Sequence, residues 1–198
     1  DETLRYEKGQ PVYGSIDDPV VFPGDPGPYK YDPVFGETGQ KFDEFLFGAE
    51  NVKNPKRKDS LHWNLPDDFF SNRKQIEIIN NLYLENSFEN DIFIRKEINK
   101  KITGYKNQDI KKKLIDLTKL ISLNDTIEKL MLSKLKCFYC KENCHLLYQN
   151  IFEKKQWTLD RINNNQGHNT DNVIISCLEC NIKRGDMDSE RFKRGKEI

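Results

Sequence analysis

The sequence has no run of 18 apolar residues, so no transmembrane helix is predicted. No signal peptide is recognisable either, and because the first residue is Asp1 rather than Met, we expect that a leader or another upstream segment precedes it. Apolar residues make up only 36% of the 198 positions. That fraction predicts a modest core, in one domain of ordinary size or in a small domain with arms.

The sequence also has no net charge, because 32 basic residues balance 32 acidic ones. The balance conceals an asymmetry. Residues 1–50 contain eleven acidic and four basic residues, a net charge of −7, so the remaining residues carry +7. A mildly basic body is compatible with binding to nucleic acid, although many proteins that bind none have a similar excess.

Cysteine is scarce, with five residues, and its spacing does not indicate a disulfide framework. Four of the five form two Cys-x-x-Cys motifs, Cys137 with Cys140 and Cys177 with Cys180. Each motif supplies two thiolates from one tight turn, and four thiolates complete the tetrahedral shell of a structural Zn²⁺. The alternatives are redox pairs or reduced, buried cysteines that bind nothing. Cys144 is left over as a free thiol.

Metal-binding thiols indicate a reducing compartment. We therefore expect an intracellular protein, and the sequence leaves the nucleus, a virus-associated setting and an imported organellar location all open.

Residues 1–60 have the composition of an extended arm. Six prolines and six glycines lie between residues 9 and 39, a density that interrupts both helix and strand. Eight aromatic residues lie between Tyr13 and Phe47, more than a disordered linker usually contains. We expect the arm to lie on a partner protein, with the aromatic side chains as anchors; the alternative is that it folds back over its own body.

Residues 61–135 are predicted to form a helical region with four helices. The first begins after the cap Ser71, and the second begins near Asn90 and ends at Gly104. A third begins near Asn107, and the fourth is capped by Asn124 or Asp125. Their apolar faces are, in order, Ile76, Ile79, Leu82 and Tyr83; Ile94, Ile98 and Ile102; Ile110, Leu114, Leu117 and Ile121; and Ile127, Leu130, Met131 and Leu135.

Residues 136–198 are predicted to form a small module around the zinc site. Residues 157–162 and 173–176 favour two strands, a polar loop separates them, and a helix begins at Leu178. Trp157 is expected to lie in the core under this hairpin. The predicted fold class is therefore α+β, with an extended irregular arm, a helical region and a zinc-stapled module of two strands and a helix.

This module resembles the zinc-containing nucleases of the HNH, or ββα-metal, type, including phage recombination endonucleases of the endonuclease VII kind. The family pattern is Cys-x-x-Cys, Asp-His at the end of the first strand, Asn before the second strand, and Cys-x-x-Cys-Asn at the start of the helix. The resemblance covers about residues 135–190, roughly a quarter of the chain. The corresponding stretches are Cys137-x-x-Cys140, Leu159-Asp160-Arg161-Ile162, Asp171-Asn172-Val173 and Cys177-x-x-Cys180-Asn181.

The resemblance implies a one-metal site that hydrolyses phosphodiester bonds. A hard divalent cation would stabilise charge on the scissile phosphate and the leaving oxygen. The implied ligands of Mg²⁺ or Mn²⁺ are the Asp160 carboxylate and the Asn181 amide oxygen, completed by phosphate and water. Asn172 is the implied central asparagine and is expected to brace the loop through backbone hydrogen bonds. The alternatives are that Asp160 starts a turn and that Asn181 bonds within the helix turn.

One position departs from the family pattern. Arg161 occupies the place of the histidine that acts as general base, and a guanidinium cannot take a proton from water. His168 is the candidate base because imidazole titrates near neutrality; the alternative is that it only holds the loop closed. Arg161 is a candidate for phosphate binding or transition-state stabilisation. Lys183 and Arg184 are candidate contacts to a nucleic-acid backbone, or else a solvated helix face.

Three hypotheses follow. The first is a metal-dependent endonuclease that acts on DNA rather than RNA. The second is a catalytically inactive protein of the same fold, retained as an accessory subunit of a larger assembly and anchored by residues 1–60. The third is a zinc module that binds nucleic acid without cutting it.

Overall fold

A computed structural model of the chain describes residues 65–196, together with Lys56, Trp63 and the backbone of residues 5–7 and 10–12. The chain divides into two compact units, residues 1–30 and residues 31–198. In the first unit, β1 (Arg5–Glu7) pairs antiparallel with β2 (Gln10–Val12), a short strand pair that the arm's composition did not predict. The rest of the predicted arm, with its aromatic anchors, lies outside the described residues.

The second unit contains the helical region and the cysteine-rich module. A 3-10 turn (Asp67–Phe70) precedes the helices α1 (Asn72–Tyr83), α2 (Asp91–Lys111) and α3 (Leu123–Leu132). The strands β3 (Trp157–Arg161) and β4 (Val173–Cys177) and the helices α4 (Leu178–Arg184) and α5 (Ser189–Arg194) follow. The described residues thus form a mixed α+β fold, as predicted.

The first predicted helix is confirmed at its start, but its buried face is rotated. The Ser71 side chain accepts a hydrogen bond from the backbone of Lys74, which makes Ser71 the cap of α1. Ile79 and Leu82 are buried as predicted, whereas Tyr83 is 43% exposed. Gln75 completes the buried face instead, because its amide bonds the backbone of residues 146 and 147.

The second predicted helix does not end at Gly104, and no separate third helix follows. Helix α2 runs through Gly104 to Lys111. A glycine inside a helix costs about 1 kcal/mol, which the apolar burial of Tyr105 and the hydrogen bonds of Asp109 to His168 on the next turns offset.

The segment after α2 pairs with the hairpin loop instead of forming the third predicted helix. The Lys119 carbonyl accepts from the Thr170 N–H at 2.9 Å, and the Ile121 N–H donates to the His168 carbonyl at 3.0 Å. Backbone groups used in this way are not available for a helix. Accordingly Leu117, a predicted core residue, is 70% exposed.

The fourth predicted helix exists as α3, with a different cap. Ser122, not Asn124 or Asp125, is the N-cap, and it forms a capping box with Asp125. Ile127 and Leu130 are buried as predicted.

The hairpin shares one hydrophobic core with the helices. Strands β3 and β4 pair antiparallel, with Trp157 opposite Cys177 and Arg161 opposite Val173. Trp157 is 1% exposed, as expected of a core residue. Within the described residues, no helix has the length and apolar character needed to cross a membrane.

Candidate metal centre

The two Cys-x-x-Cys motifs meet at one point. The Sγ atoms of Cys137, Cys140, Cys177 and Cys180 all lie within 4.8 Å of one another. The Sγ atoms of Cys140 and Cys177 are 3.9 Å apart, close to the edge of about 3.8 Å that follows for a tetrahedron with Zn–S bonds of ~2.3 Å. The four-cysteine cluster is therefore compatible with a tetrahedral structural metal such as zinc.

Local backbone geometry presents these four thiols. The first motif closes as a turn, in which the Cys137 N–H donates to the Glu142 carbonyl at 2.9 Å and Lys141 adopts a φ of 62°. In the second motif Cys177 ends β4 and caps α4, and its Sγ accepts from the Cys180 N–H at 3.5 Å. The sequence predicted this placement, with one motif before the hairpin and one where the helix begins.

The fifth cysteine lies beside the cluster without belonging to it. Cys144 is 1% exposed, and its thiol is hydrogen-bonded to Cys137. This bond, and then burial, raises the pKa of Cys144, whereas bonds from Cys144 and the neighbouring thiols lower the pKa of Cys137. The fifth thiol therefore lies beside the cluster but is not one of the four residues that could hold a metal.

Asp160, the expected ligand of a catalytic cation, is engaged inside the protein. It is 1% exposed. Its Oδ2 accepts from the Tyr139 hydroxyl at 2.7 Å, and its Oδ1 accepts from Nη1 of Arg184 at 2.7 Å. Burial and the Asp160 charge raise the pKa of Tyr139, so the phenol stays a donor. Both carboxylate oxygens therefore have a donor in place.

Helix α4 lies against the face of β3 that carries Asp160. Asn181 donates from Nδ2 to Thr158 Oγ1 at 3.1 Å, and Arg184, one turn further, reaches Asp160. Since alternate residues of a strand share a face, Thr158 and Asp160 both point to α4. The two residues expected to hold Mg²⁺ or Mn²⁺ both contact this side of β3 or α4, and the positive charge of Arg184 is bonded directly to one of them, Asp160.

His168 lies against α2. Its Nδ1 is 2.8 Å from Asp109 Oδ1, and its backbone N–H donates to Asp109 Oδ2 at 2.6 Å. Its ring also packs on Tyr105, with centroids 4.5 Å apart. The candidate base is thus bonded to a carboxylate of α2, whereas Asp160 is bonded to Arg184 of α4.

Asp109 belongs to a buried polar stripe that sequence reasoning missed. Lys101 donates to Gln156 Oε1 at 3.0 Å and to the Trp157 carbonyl, and the Tyr105 hydroxyl accepts from the Leu159 N–H. Lys101, Tyr105 and Asp109 are four residues apart in sequence, which places them on one face of α2. Polar residues at that spacing are typical of a solvated helix face. The sequence alone therefore did not indicate that these side chains are buried against the hairpin.

The loop between the strands is braced from within. Asn172 accepts from the Asn163 N–H at 2.9 Å and donates to the carbonyls of Asn163 and Gly167, both at 3.0 Å. Arg161 is 4% exposed and donates to the carbonyls of Asn164 and Gln166. Its guanidinium holds loop backbone and does not face solvent.

The predicted nucleic-acid contacts on α4 are both neutralised. Lys183 is exposed, but its Nζ lies 2.8 Å from Glu179 Oε1. Arg184 is 3% exposed and bound to Asp160, so it is neither a surface contact nor part of a solvated face.

Comparisons with protein-family models, with curated proteins and with solved structures found no match to this chain. The functional assignment therefore depends on the site geometry and on the motif resemblance alone.

The Asp109–His168 contact gives a first testable prediction. Replacing Asp109 with alanine leaves a buried imidazole and a buried backbone N–H without their acceptor, and we expect it to lower the free energy of unfolding by about 2–4 kcal/mol. Asp116→Ala is the matched control, because that carboxylate is 39% exposed and lies 3.9 Å from Lys119; it should cost less than about 1 kcal/mol. Urea unfolding followed by tryptophan fluorescence measures both, and equal effects would contradict the contact.

Proposed function

We propose that this chain is a zinc-containing module of the HNH, or ββα-metal, type that binds nucleic acid, DNA rather than RNA, without cleaving it. It acts as an accessory subunit rather than as a nuclease. The module has a Cys-x-x-Cys motif, a strand, a loop, a second strand and a helix that begins at the second Cys-x-x-Cys motif, and this order supports the family assignment. The four clustered thiols support zinc as its structural metal.

One observation carries the absence of cleavage: the Asp160 carboxylate is bound to Arg184 and Tyr139. Breaking a buried ion pair by freeing one partner costs about 3–5 kcal/mol. A divalent cation at Asp160 would have to offset that cost and would also meet the nearby guanidinium. Arg161 adds to this, because it stands where the family has its general base and bonds loop carbonyls instead.

Nucleic acid as the partner is supported by charge. Residues 51–198 carry a net charge of +7, and phosphate contacts by lysine and arginine supply most of the affinity of sequence-independent binding.

A second candidate is the endonuclease itself, favoured by the Asp109–His168 pair. A carboxylate that bonds one ring nitrogen fixes the tautomer and orients the imidazole, which is how many general bases are held. For this candidate His168 would be the base, Asp160 and Asn181 the ligands of Mg²⁺ or Mn²⁺, and the hairpin would have to rearrange on binding substrate.

A supercoiled-plasmid nicking assay separates the two candidates. Zinc-loaded protein is incubated with Mg²⁺ or Mn²⁺ across neutral and alkaline pH, beside His168→Ala and Asp160→Asn prepared in parallel. We expect no nicking by the wild type under any of these conditions. Nicking by the wild type that both variants lose would overturn the proposal in favour of the nuclease.

A further inference from the structure

Three lysines and two aromatic rings form a surface beside the first cysteine motif. The Nζ atoms of Lys141 and Lys193 lie 5.1 and 4.8 Å from the centroid of Phe138, and Nζ of Lys196 lies 5.7 Å from that of Phe192. We call Phe138, Lys141, Phe192, Lys193 and Lys196 the knuckle–helix surface. It extends from the first Cys-x-x-Cys motif to α5 and does not include Lys183 and Arg184 of α4, the contacts predicted from the sequence.

The aromatic rings fix where these charges stand. Phe138 packs edge-on against Tyr139 at 5.3 Å, and Tyr139 packs edge-on against Phe192 at 5.0 Å. Tyr139 is 1% exposed and bonded to Asp160, so this row of rings is attached to the rigid interior. Lysines that rest on ring faces lose less freedom on binding than lysines that extend freely into water.

The ammonium groups of Lys141 and Lys193 lie close together. The Nζ atoms of Lys141 and Lys193 share one ring and so lie at most about 10 Å apart. Among the described residues, no carboxylate forms an ion pair with Lys141, Lys193 or Lys196, whereas Lys183 is paired with Glu179. Like charges held near each other repel, and an anion that bridges them relieves this repulsion.

The surrounding sequence has the same sign. Residues 134–142 and 189–196 together contain seven basic and two acidic residues, a net charge of +5. This accounts for most of the +7 carried by residues 51–198. Arg191 and Arg194 on α5 are exposed and extend the positive area.

We propose that the knuckle–helix surface binds the sugar–phosphate backbone of duplex DNA. The inference rests on the proposed function, since it names where a nucleic acid would lie. Phosphates follow each other about every 3.4 Å along one strand, so two ammonium groups within 10 Å span neighbouring phosphates. The surface offers charge rather than an apolar groove, which favours a phosphate backbone over an apolar peptide. The competing occupant is an acidic polypeptide, such as residues 1–50 of this chain with their net charge of −7.

The test measures binding of the full zinc-loaded chain to a fluorescein-labelled 30-base-pair duplex by anisotropy, without added Mg²⁺ or chelator. The triple variant Lys141→Gln, Lys193→Gln, Lys196→Gln is compared with a control triple, Lys74→Gln, Lys100→Gln, Lys119→Gln. The control removes the same total charge from lysines that already form ion pairs. A labelled poly-glutamate peptide serves as the second probe.

We expect the first triple to weaken duplex binding by about 10- to 100-fold near 0.1 M salt and to reduce the slope of log affinity against log salt by about 2.7. The single Lys193→Gln variant should reduce that slope by about 0.9. It replaces the triple variant in the test if the triple variant unfolds at a lower temperature than the wild type. The control triple should change affinity by less than about 3-fold, with the slope unchanged.

Three results would overturn the inference. One is equal weakening by both triples. Another is wild-type binding that neither Lys193→Gln nor the first triple alters. The last is tighter wild-type binding to poly-glutamate than to duplex, lost in the first triple. The absence of any wild-type binding to duplex would instead contradict the proposed function, and nicking would contradict its non-cleaving part without affecting this surface.

Discussion

Replacing Cys177 with serine is expected to abolish metal binding and unfold the module that contains the hairpin. Cys177 is fully buried, ends β4 and caps α4, so its thiolate would connect a bound metal to both elements. Structural zinc contributes about 10–16 kcal/mol of apparent binding free energy at pH 7 in zinc-finger peptides. That is as large as the whole stability of a typical domain, about 5–15 kcal/mol. Because the hairpin shares its core with α1–α3, loss of the metal should destabilise the helices as well.

Cys144→Ala is the matched control for this prediction. Cys144 is as buried as Cys137 and bonds it, yet it is not one of the four residues of the cluster. We expect Cys144→Ala to retain one zinc per chain and to lose only about 1–2 kcal/mol, the cost of a small cavity and one weak hydrogen bond. Zinc content by atomic emission and thermal unfolding by circular dichroism measure both variants. A zinc-free, folded Cys177→Ser protein would show that the four thiols are not a structural metal site.

Replacing Asp160 with alanine is expected to lower the free energy of unfolding by about 3–5 kcal/mol, because Arg184 then stays buried without its counter-ion. The Tyr139 hydroxyl loses its acceptor in the same variant. A simple metal ligand on a strand end would behave differently, since its removal would stop catalysis while the fold survived. The size of the stability loss therefore distinguishes a structural carboxylate from a catalytic one.

A double-mutant cycle isolates the ion pair. Arg184→Met keeps much of the side-chain volume without the charge, so the double variant Asp160→Ala, Arg184→Met should be more stable than the sum of the single effects by at least about 2 kcal/mol. Lys183→Met is the control on the same helix, and its exposed pair with Glu179 should contribute about 0.5 kcal/mol or less. Urea unfolding measures the four proteins of the cycle and the Lys183→Met control. Additive effects of Asp160 and Arg184 would contradict the pair.

The module was predictable from the sequence because its signals are local. Two Cys-x-x-Cys motifs, β-branched residues at 173–175 and a polar loop each determine structure within a few positions. The same held for Ser71, whose side chain caps the helix that follows it. These features need no knowledge of the rest of the fold.

The remaining features depend on contacts distant in sequence. Gly104 alone indicates a helix end, but the helix continues because Tyr105 and Asp109 are buried against the hairpin. Arg184 reads as a surface residue until Asp160, 24 positions earlier, is seen beside it. A charged residue on a short helix has no local mark of burial, because its partner alone makes burial tolerable.

Asp160 is held by Arg184, and we propose that it does not bind a catalytic cation. The most direct test is paramagnetic broadening by Mn²⁺ in amide and side-chain NMR spectra of the zinc-loaded chain, recorded with duplex DNA present. We expect no selective broadening of Asp160 and Asn181 at Mn²⁺ concentrations up to about ten times that of the protein. Selective broadening of both residues at stoichiometric Mn²⁺ that is lost in Asp160→Asn would contradict this proposal and would favour a metal-dependent nuclease.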